Sequence, residues 1–205
     1  MKRFMILFLA FIAVIGFWAE LSAQVPDKDL ISALQNGGYV IYMRHPKTNP
    51  DQADTDPFNL DNIKAQRQLT DEGRQQAQAV GEAFRALKIP VDRVISSKFY
   101  RAIEAAKLLD AGEVTASIDV TEGGLVVSPN ENNRRAKALR QLLGTPPAAG
   151  KNTVIVSHKP NLMDAAGTDF GDMGEGETAI FQPLGDSKFK LIARVKVDKW
   201  IQWAR

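Results

Sequence analysis

The 205-residue chain contains no cysteine and only two histidines. Without cysteine it can have no disulfide scaffold, thiol nucleophile or thiolate metal site, so its stability must come from a packed core. An excess of charge of one sign is also missing. The 26 basic and 24 acidic residues leave a net charge of +2, and the signs alternate along the chain rather than gathering into a basic stripe. That balance excludes the electrostatic footprint of a nucleic-acid binder. No Gly-x-x-x-x-Gly-Lys-Ser/Thr loop occurs, which excludes nucleotide-driven chemistry of that type. Beyond Gln24 no apolar run is long enough to span a bilayer.

What is present begins with a localisation signal. Lys2 and Arg3 precede an uncharged apolar run from Phe4 to Trp18, followed by Ala19-Glu-Leu-Ser-Ala23. A charged start, an apolar stretch and small residues before a break are the pattern of a secretory signal peptide, with cleavage expected after Ala23 and a periplasmic or secreted destination. A retained N-terminal anchor is the alternative. Residues 24–205 then form one domain, enough for a single well-filled core.

Both histidines close a short apolar run: Tyr39-Val-Ile-Tyr-Met-Arg44-His45 and Thr153-Val-Ile-Val-Ser157-His158. Such runs read as buried parallel strands delivering polar side chains to the carboxyl edge of an α/β sheet, where ligand sites form. Around them strand and helix patterns alternate. Strands are expected at Tyr39–Arg44, Val91–Ser96, Ala116–Thr121 and Asn152–Ser157, and helices at Thr70–Lys88, Phe99–Leu109 and Asn132–Leu143, with another opening at Pro160. Thr178–Gln182 and Phe189–Val197 flank a turn and predict a terminal hairpin. The fold class is therefore α/β, a three-layer α/β/α sandwich around a mostly parallel sheet.

The strand Val91–Ser96 ends in Ser96-Ser97-Lys98-Phe99-Tyr100-Arg101, which places Arg101 in a first helical turn, where free N–H groups favour an anion. Arg44, His45, Arg101 and His158 thus converge on one edge. Arginine forks suit phosphoryl oxygens, and an imidazole can accept a phosphoryl group and release it to water, so no metal or other cofactor is called for.

These residues resemble a known signature. Arg44-His45-Pro46-Lys47-Thr48 is similar to the Arg-His-Gly-x-Thr element of the histidine phosphatase superfamily, also called phosphoglycerate mutase-like. Ser96-Ser97 with Arg101-Ala102 resembles its second element and Ser157-His158 its third. The order and spacing match from about Gly38 to Val197. The resemblance implies that His45 is the nucleophile, that Arg44 and Arg101 bind phosphoryl oxygens, that His158 completes the pocket, and that Thr48 and Lys47 contact substrate. In the compact branch of the family a glutamate after the third strand is the general acid, a place that Glu122 fills; Glu177 is the second candidate.

Pro46 departs from the signature, since proline removes an N–H and fixes φ near about −65°. Two functional expectations follow: a phosphatase acting on small-molecule or glycolipid phosphate esters with no stable protein partner, or a catalytically weak phosphate-binding module of the same fold. The polar segment Lys47–Gln68 is long for a plain connection and reads as a lid or substrate-binding loop. Its acidic residues lack the turn glycine of a calcium loop, and Gly171-Asp-Met-Gly174-Glu-Gly176 precedes a strand rather than a helix, unlike a dinucleotide fingerprint. Trp200-Ile-Gln-Trp203 is expected to pack on the core or an edge.

Overall fold

The computed structural model describes residues 26–123 and 126–205. The expected export signal, residues 1–23, lies outside the described residues. Among those residues the helices are α1 (Asp27–Asn36), α2 (Asp71–Ala86), α3 (Tyr100–Leu109), α4 (Pro129–Gly144), α5 (Lys159–Ala166) and α6 (Val197–Trp203). The strands are β1 (Val40–Arg44), β2 (Val91–Ser97), β3 (Val114–Ser117), β4 (Asn152–Ser157), β5 (Thr178–Gly185) and β6 (Lys188–Val195).

The six strands form one sheet in the order β3-β2-β4-β1-β5-β6. β3, β2, β4 and β1 are mutually parallel, and the hairpin β5–β6 runs antiparallel on the β1 side. Alternation along the strands divides the core in two. Ile41, Met43, Val94, Val154 and Val156 face a layer containing Leu34, Val80, Phe84, Leu109 and Trp200, whereas Val40, Tyr42, Ile95 and Ile155 face Leu139, Leu143 and Leu162. Helices α1, α2, α3 and α6 therefore cover one face and α4 and α5 the other. This is the expected three-layer sandwich.

Several elements differ from expectation. β3 occupies 114–117 rather than 116–121, because it is an edge strand with no fully buried residue and so has no apolar run to mark it. The chain then makes a short 3-10 turn, Ile118–Val120, capped by Ser117 Oγ. α1 was not anticipated: it buries only Leu30 and Leu34. The C-terminal tryptophans belong to a helix, α6, and Trp200 is fully buried edge-on to Phe84, with its Nε1 donating to Thr178 Oγ1 at 3.0 Å. β6 ends at Val195 to make room for that helix. The hairpin turn is Asp186-Ser187, both at positive φ (50° and 61°), as a tight two-residue turn between twisted strands requires.

One helix start bears directly on the site. Thr70 caps α2 by accepting from Gly73 N at 3.0 Å, while Thr70 N donates to Lys47 O at 3.0 Å. A Cβ on Gly73 would lie 2.1 Å from that same carbonyl. Only glycine lets α2 press this closely on the segment that follows β1.

Candidate active site

Register builds the centre of the site. β1 and β4 pair in parallel with Arg44 opposite Ser157, and His45 N continues the ladder by donating to Ser157 O at 2.9 Å. The next residues, His45 and His158, therefore stand side by side, with ring centroids 5.2 Å apart. Both are buried, at 2 % and 1 % exposure. On the other side of β4, β2 carries Ser97, whose Oγ lies 2.7 Å from His158 Nε2. The two histidines and the residues after β2 share the carboxyl edge of the three central strands.

The His45 ring is fixed by its own loop. Its Nδ1 lies 3.0 Å from Pro46 O, and since a carbonyl only accepts, Nδ1 carries the proton and Nε2 keeps a free lone pair. Burial and the nearby Arg101 charge push the His45 pKa down to about 3. The imidazole is neutral across the physiological range. None of residues 45–48 has a positive φ, so the loop does not need glycine's conformational freedom at 46, and proline's fixed φ fits it.

Ser97 Oγ accepts from Phe99 N at 3.1 Å, which frees its own proton for His158 Nε2. The His158 proton then sits on Nδ1, facing Glu122 Oε1 at 3.5 Å. Burial, reinforced by Arg101, holds His158 well below its ordinary pKa. Tyr42 Oη donates to His158 O at 2.8 Å and anchors the backbone beneath it.

Arg101, in the first turn of α3, is completely buried. Nη1 donates to Asp54 Oδ1 and Oδ2 at 2.9 and 3.1 Å, and Nη2 to Glu122 Oε1 at 3.1 Å. The guanidinium carbon stands 4.3 Å from the centroid of the Phe99 ring. Arg44 donates from Nη1 to Met173 O at 2.6 Å and keeps Nη2 3.7 Å from Glu175 Oε1.

Glu122 is delivered by the turn after β3. Thr121 Oγ1 donates to Ser117 O at 2.8 Å and accepts from Lys98 N at 2.8 Å, and Arg135 Nη1 donates to the carbonyls of Thr121 and Glu122 at 3.2 and 3.3 Å. Burial raises the Glu122 pKa, against the pull of Arg101 and with the help of the Asp54 charge. A carboxyl held this way can keep a proton above the ordinary carboxylate range.

The other expected residues fare differently. Thr48 Oγ1 donates to Glu175 Oε1 at 2.7 Å. The Lys47 ammonium pairs with Glu72 at the exposed start of α2, at 2.5 Å. For Glu177, the second candidate acid, Oε1 accepts from Arg194 Nε at 2.8 Å and Oε2 from Gly174 N at 2.8 Å and Arg194 Nη2 at 3.1 Å. An arginine fork and a backbone donor thus engage both of its carboxylate oxygens.

The sequence reading missed Asp54, Arg67 and Glu175. Arg67 adds a positive charge that helps depress both histidines, and its backbone N donates to Asp54 Oδ1 at 2.9 Å. The expected lid segment 47–68 thus brings both a carboxylate and a cation to the site.

Comparison with known proteins follows the same geometry. Residues 40–123 match the model of the histidine phosphatase superfamily, branch 1. That match, over less than half of the chain, makes this segment similar to the histidine phosphatase superfamily. The matched span includes Arg44, His45, Arg101 and Glu122 and stops before His158, which the fold sets beside His45. No curated protein matches the sequence significantly. Among solved structures, the protein histidine phosphatase SixA complexed with tungstate is similar at 16 % identity, covering 78 % of this chain and 97 % of that one, with a TM-score of 0.56. A phosphoserine phosphatase variant from Entamoeba histolytica in complex with phosphoserine is 16 % identical over 78 % and 98 % of the two chains, TM-score 0.53. Mycobacterial glucosyl-3-phosphoglycerate phosphatase is 14 % identical over 75 % and 96 %, TM-score 0.53. At these identities the likeness is one of fold.

Proposed function

We propose that this protein is an exported phosphomonoesterase that works through a phosphohistidine on His45 Nε2. The observation that carries the reading is the His45 ring itself: buried, neutral, its Nδ1 proton on Pro46 O, and its Nε2 lone pair free beside three arginines. Arg44, Arg67 and Arg101 supply the positive charge that metal ions supply in other phosphoryl-transfer sites, which supports a metal-independent route. In the first step Nε2 bonds to phosphorus and the P–O bond to the alcohol breaks, with the Glu122 proton passing to the leaving oxygen. Water then attacks phosphorus, the P–N bond breaks, and Glu122 recovers a proton as the neutral imidazole returns. His158, hydrogen-bonded to Ser97 and facing Glu122, shapes the pocket between nucleophile and acid.

An envelope location would bring sugar and glycolipid phosphates within reach, and the surroundings of the leaving alcohol decide which monoesters the site accepts. The solved relatives named above act, by their names, on phosphohistidine protein, phosphoserine and glucosyl-3-phosphoglycerate, so the fold admits a wide range of leaving groups. Release of phosphate from phenyl phosphate by the purified chain tests the reading. His45→Ala is expected to lower kcat on the order of 10⁴-fold or more and to abolish an acid-labile, base-stable phosphoenzyme. A variant retaining most of its turnover overturns the mechanism.

A further inference from the structure

Three residues of the site, Asp54, Phe99 and Glu122, also form one wall of a cavity of about 310 Å³. Most of the remaining wall is apolar: Pro57, Phe58 and Leu60 come from the segment after β1, Ile118 from the turn after β3, and Val126 and Val127 from the approach to α4, while Thr121 and Arg135 add polar groups. Among the described lining residues the one cation is Arg135, and it is already engaged with Glu131 Oε1 at 2.8 Å and with the Thr121 and Glu122 carbonyls. With Glu122 carrying its proton as the acid, the remaining charge at the described wall is the Asp54 carboxylate. A second anionic group on the substrate would therefore meet repulsion and no free donor.

The placement of Glu122 gives the cavity its role. If Glu122 protonates the leaving oxygen, that oxygen lies against its carboxyl, and the carbon it carries must extend past it. The cavity that Glu122 lines is the space available there. The Phe99 ring joins the two compartments, being 4.3 Å from the Arg101 guanidinium, 5.3 Å from the His158 ring, and part of the cavity wall.

We infer that this cavity receives the alcohol half of the substrate and selects an uncharged, apolar one, so that the preferred substrates are monoesters of alkyl or aryl alcohols rather than of sugars carrying a second charge. The inference rests on the proposed phosphatase reading for its catalytic consequence, but not for binding. The volume lies at the small end of small-molecule sites, which fits one short chain or one ring rather than a whole glycolipid. Phe58, 83 % exposed on the loop that carries Asp54, forms the outer lip.

Two measurements on the purified chain test it. Calorimetric binding of methyl-, propyl- and hexylphosphonate, which cannot be hydrolysed, should show Kd falling about fourfold per added methylene until the cavity is full, the factor expected for burying one CH₂. Among hydrolysable esters, kcat/KM should rise from ethyl to butyl phosphate by a similar factor per carbon, with hexose bisphosphates far below. Phe58→Ala, at an exposed position, and Val127→Asp, which introduces a charge, should flatten the dependence on chain length in both series. Phosphonate affinities independent of chain length, no phosphonate binding at all, or a hexose bisphosphate preferred over butyl phosphate overturns the inference. Chain-length-dependent binding without turnover sustains the cavity assignment and overturns the phosphatase reading instead.

Discussion

The site has a half built on strands and a half built on loops, and the two are held by different physics. His45, Ser97 and His158 stand at the ends of β1, β2 and β4, where a register of backbone hydrogen bonds between central strands fixes them relative to one another. Asp54, Glu122 and Glu175 come from connecting segments, and what holds their carboxylates is the set of arginines they neutralise. The strand half is rigid before any ligand arrives. The loop half occupies donors that a phosphoryl group needs, so binding must exchange one anion for another.

The strongest way to break this contrast is to remove the acid on the loop side. Glu122→Gln should lower kcat for alkyl phosphates by about 10²- to 10⁴-fold, the usual range for general acid catalysis, while sparing para-nitrophenyl phosphate, whose leaving group needs little protonation. Because burial raises the Glu122 pKa, wild-type alkyl phosphate hydrolysis should fall as pH rises through that raised value, and the alkaline limb should be absent in the variant. Equal slowing of both substrates would assign Glu122 to structure.

Arg101 joins the halves. Arg101→Ala should cost about 10²- to 10³-fold in kcat, as for other preorganised donors to developing charge. Arg101→Lys should recover little, since a point charge cannot serve two acceptors as the fork does; full recovery would show that the fork is not used.

The strand half should reveal itself in stability. His45 is protonated in the unfolded chain below its ordinary pKa near 6.5 but stays neutral when folded until about pH 3. Between those values the unfolded state binds the additional proton, so stability is full above about 6.5 and is lost as pH falls through that window. From pH 7.5 to 5 the His45 contribution is on the order of 2 kcal/mol. Urea unfolding of wild type and His45→Gln at both pH values checks it, and identical losses in the two proteins would contradict a neutral buried His45.

The smallest effect concerns the anion exchange. Asp54→Asn removes the charge that competes for Arg101 and should tighten inhibition by inorganic phosphate about tenfold, the scale of one partly buried ion pair. Weaker phosphate inhibition would mean that Asp54 positions Arg101 rather than competing for it.

This division also decides what could be read from the sequence. The strand half was legible because buried parallel strands are continuous apolar runs, and both runs terminate at histidine; the sandwich and the edge that carries the site followed. Glu122 was named through the family resemblance, since nothing in Asp119-Val-Thr-Glu122 distinguishes a buried acid from a solvated one. Asp54, Arg67 and Glu175 were missed because their contacts depend on the path of an irregular loop, which has no period to read. The pairing of Glu177 with Arg194 was hidden for a similar reason: it becomes visible only once β5 and β6 are paired. The start of α4 at Ser128-Pro129 was legible and passed over, as a capping serine three residues before Glu131 marks it.

Pro46 is where the chain departs from the histidine phosphatase signature it resembles, and its consequence lies in the unfolded state as much as in the folded one. A proline at that position has fewer conformations to surrender on folding than glycine, by roughly 1 kcal/mol or somewhat more. Its single backbone polar group, the carbonyl, is the one that holds the His45 tautomer. The aim of the imidazole is therefore set in part by the covalent stiffness of the residue after it, an ordering cost met once during folding and not again at each turnover.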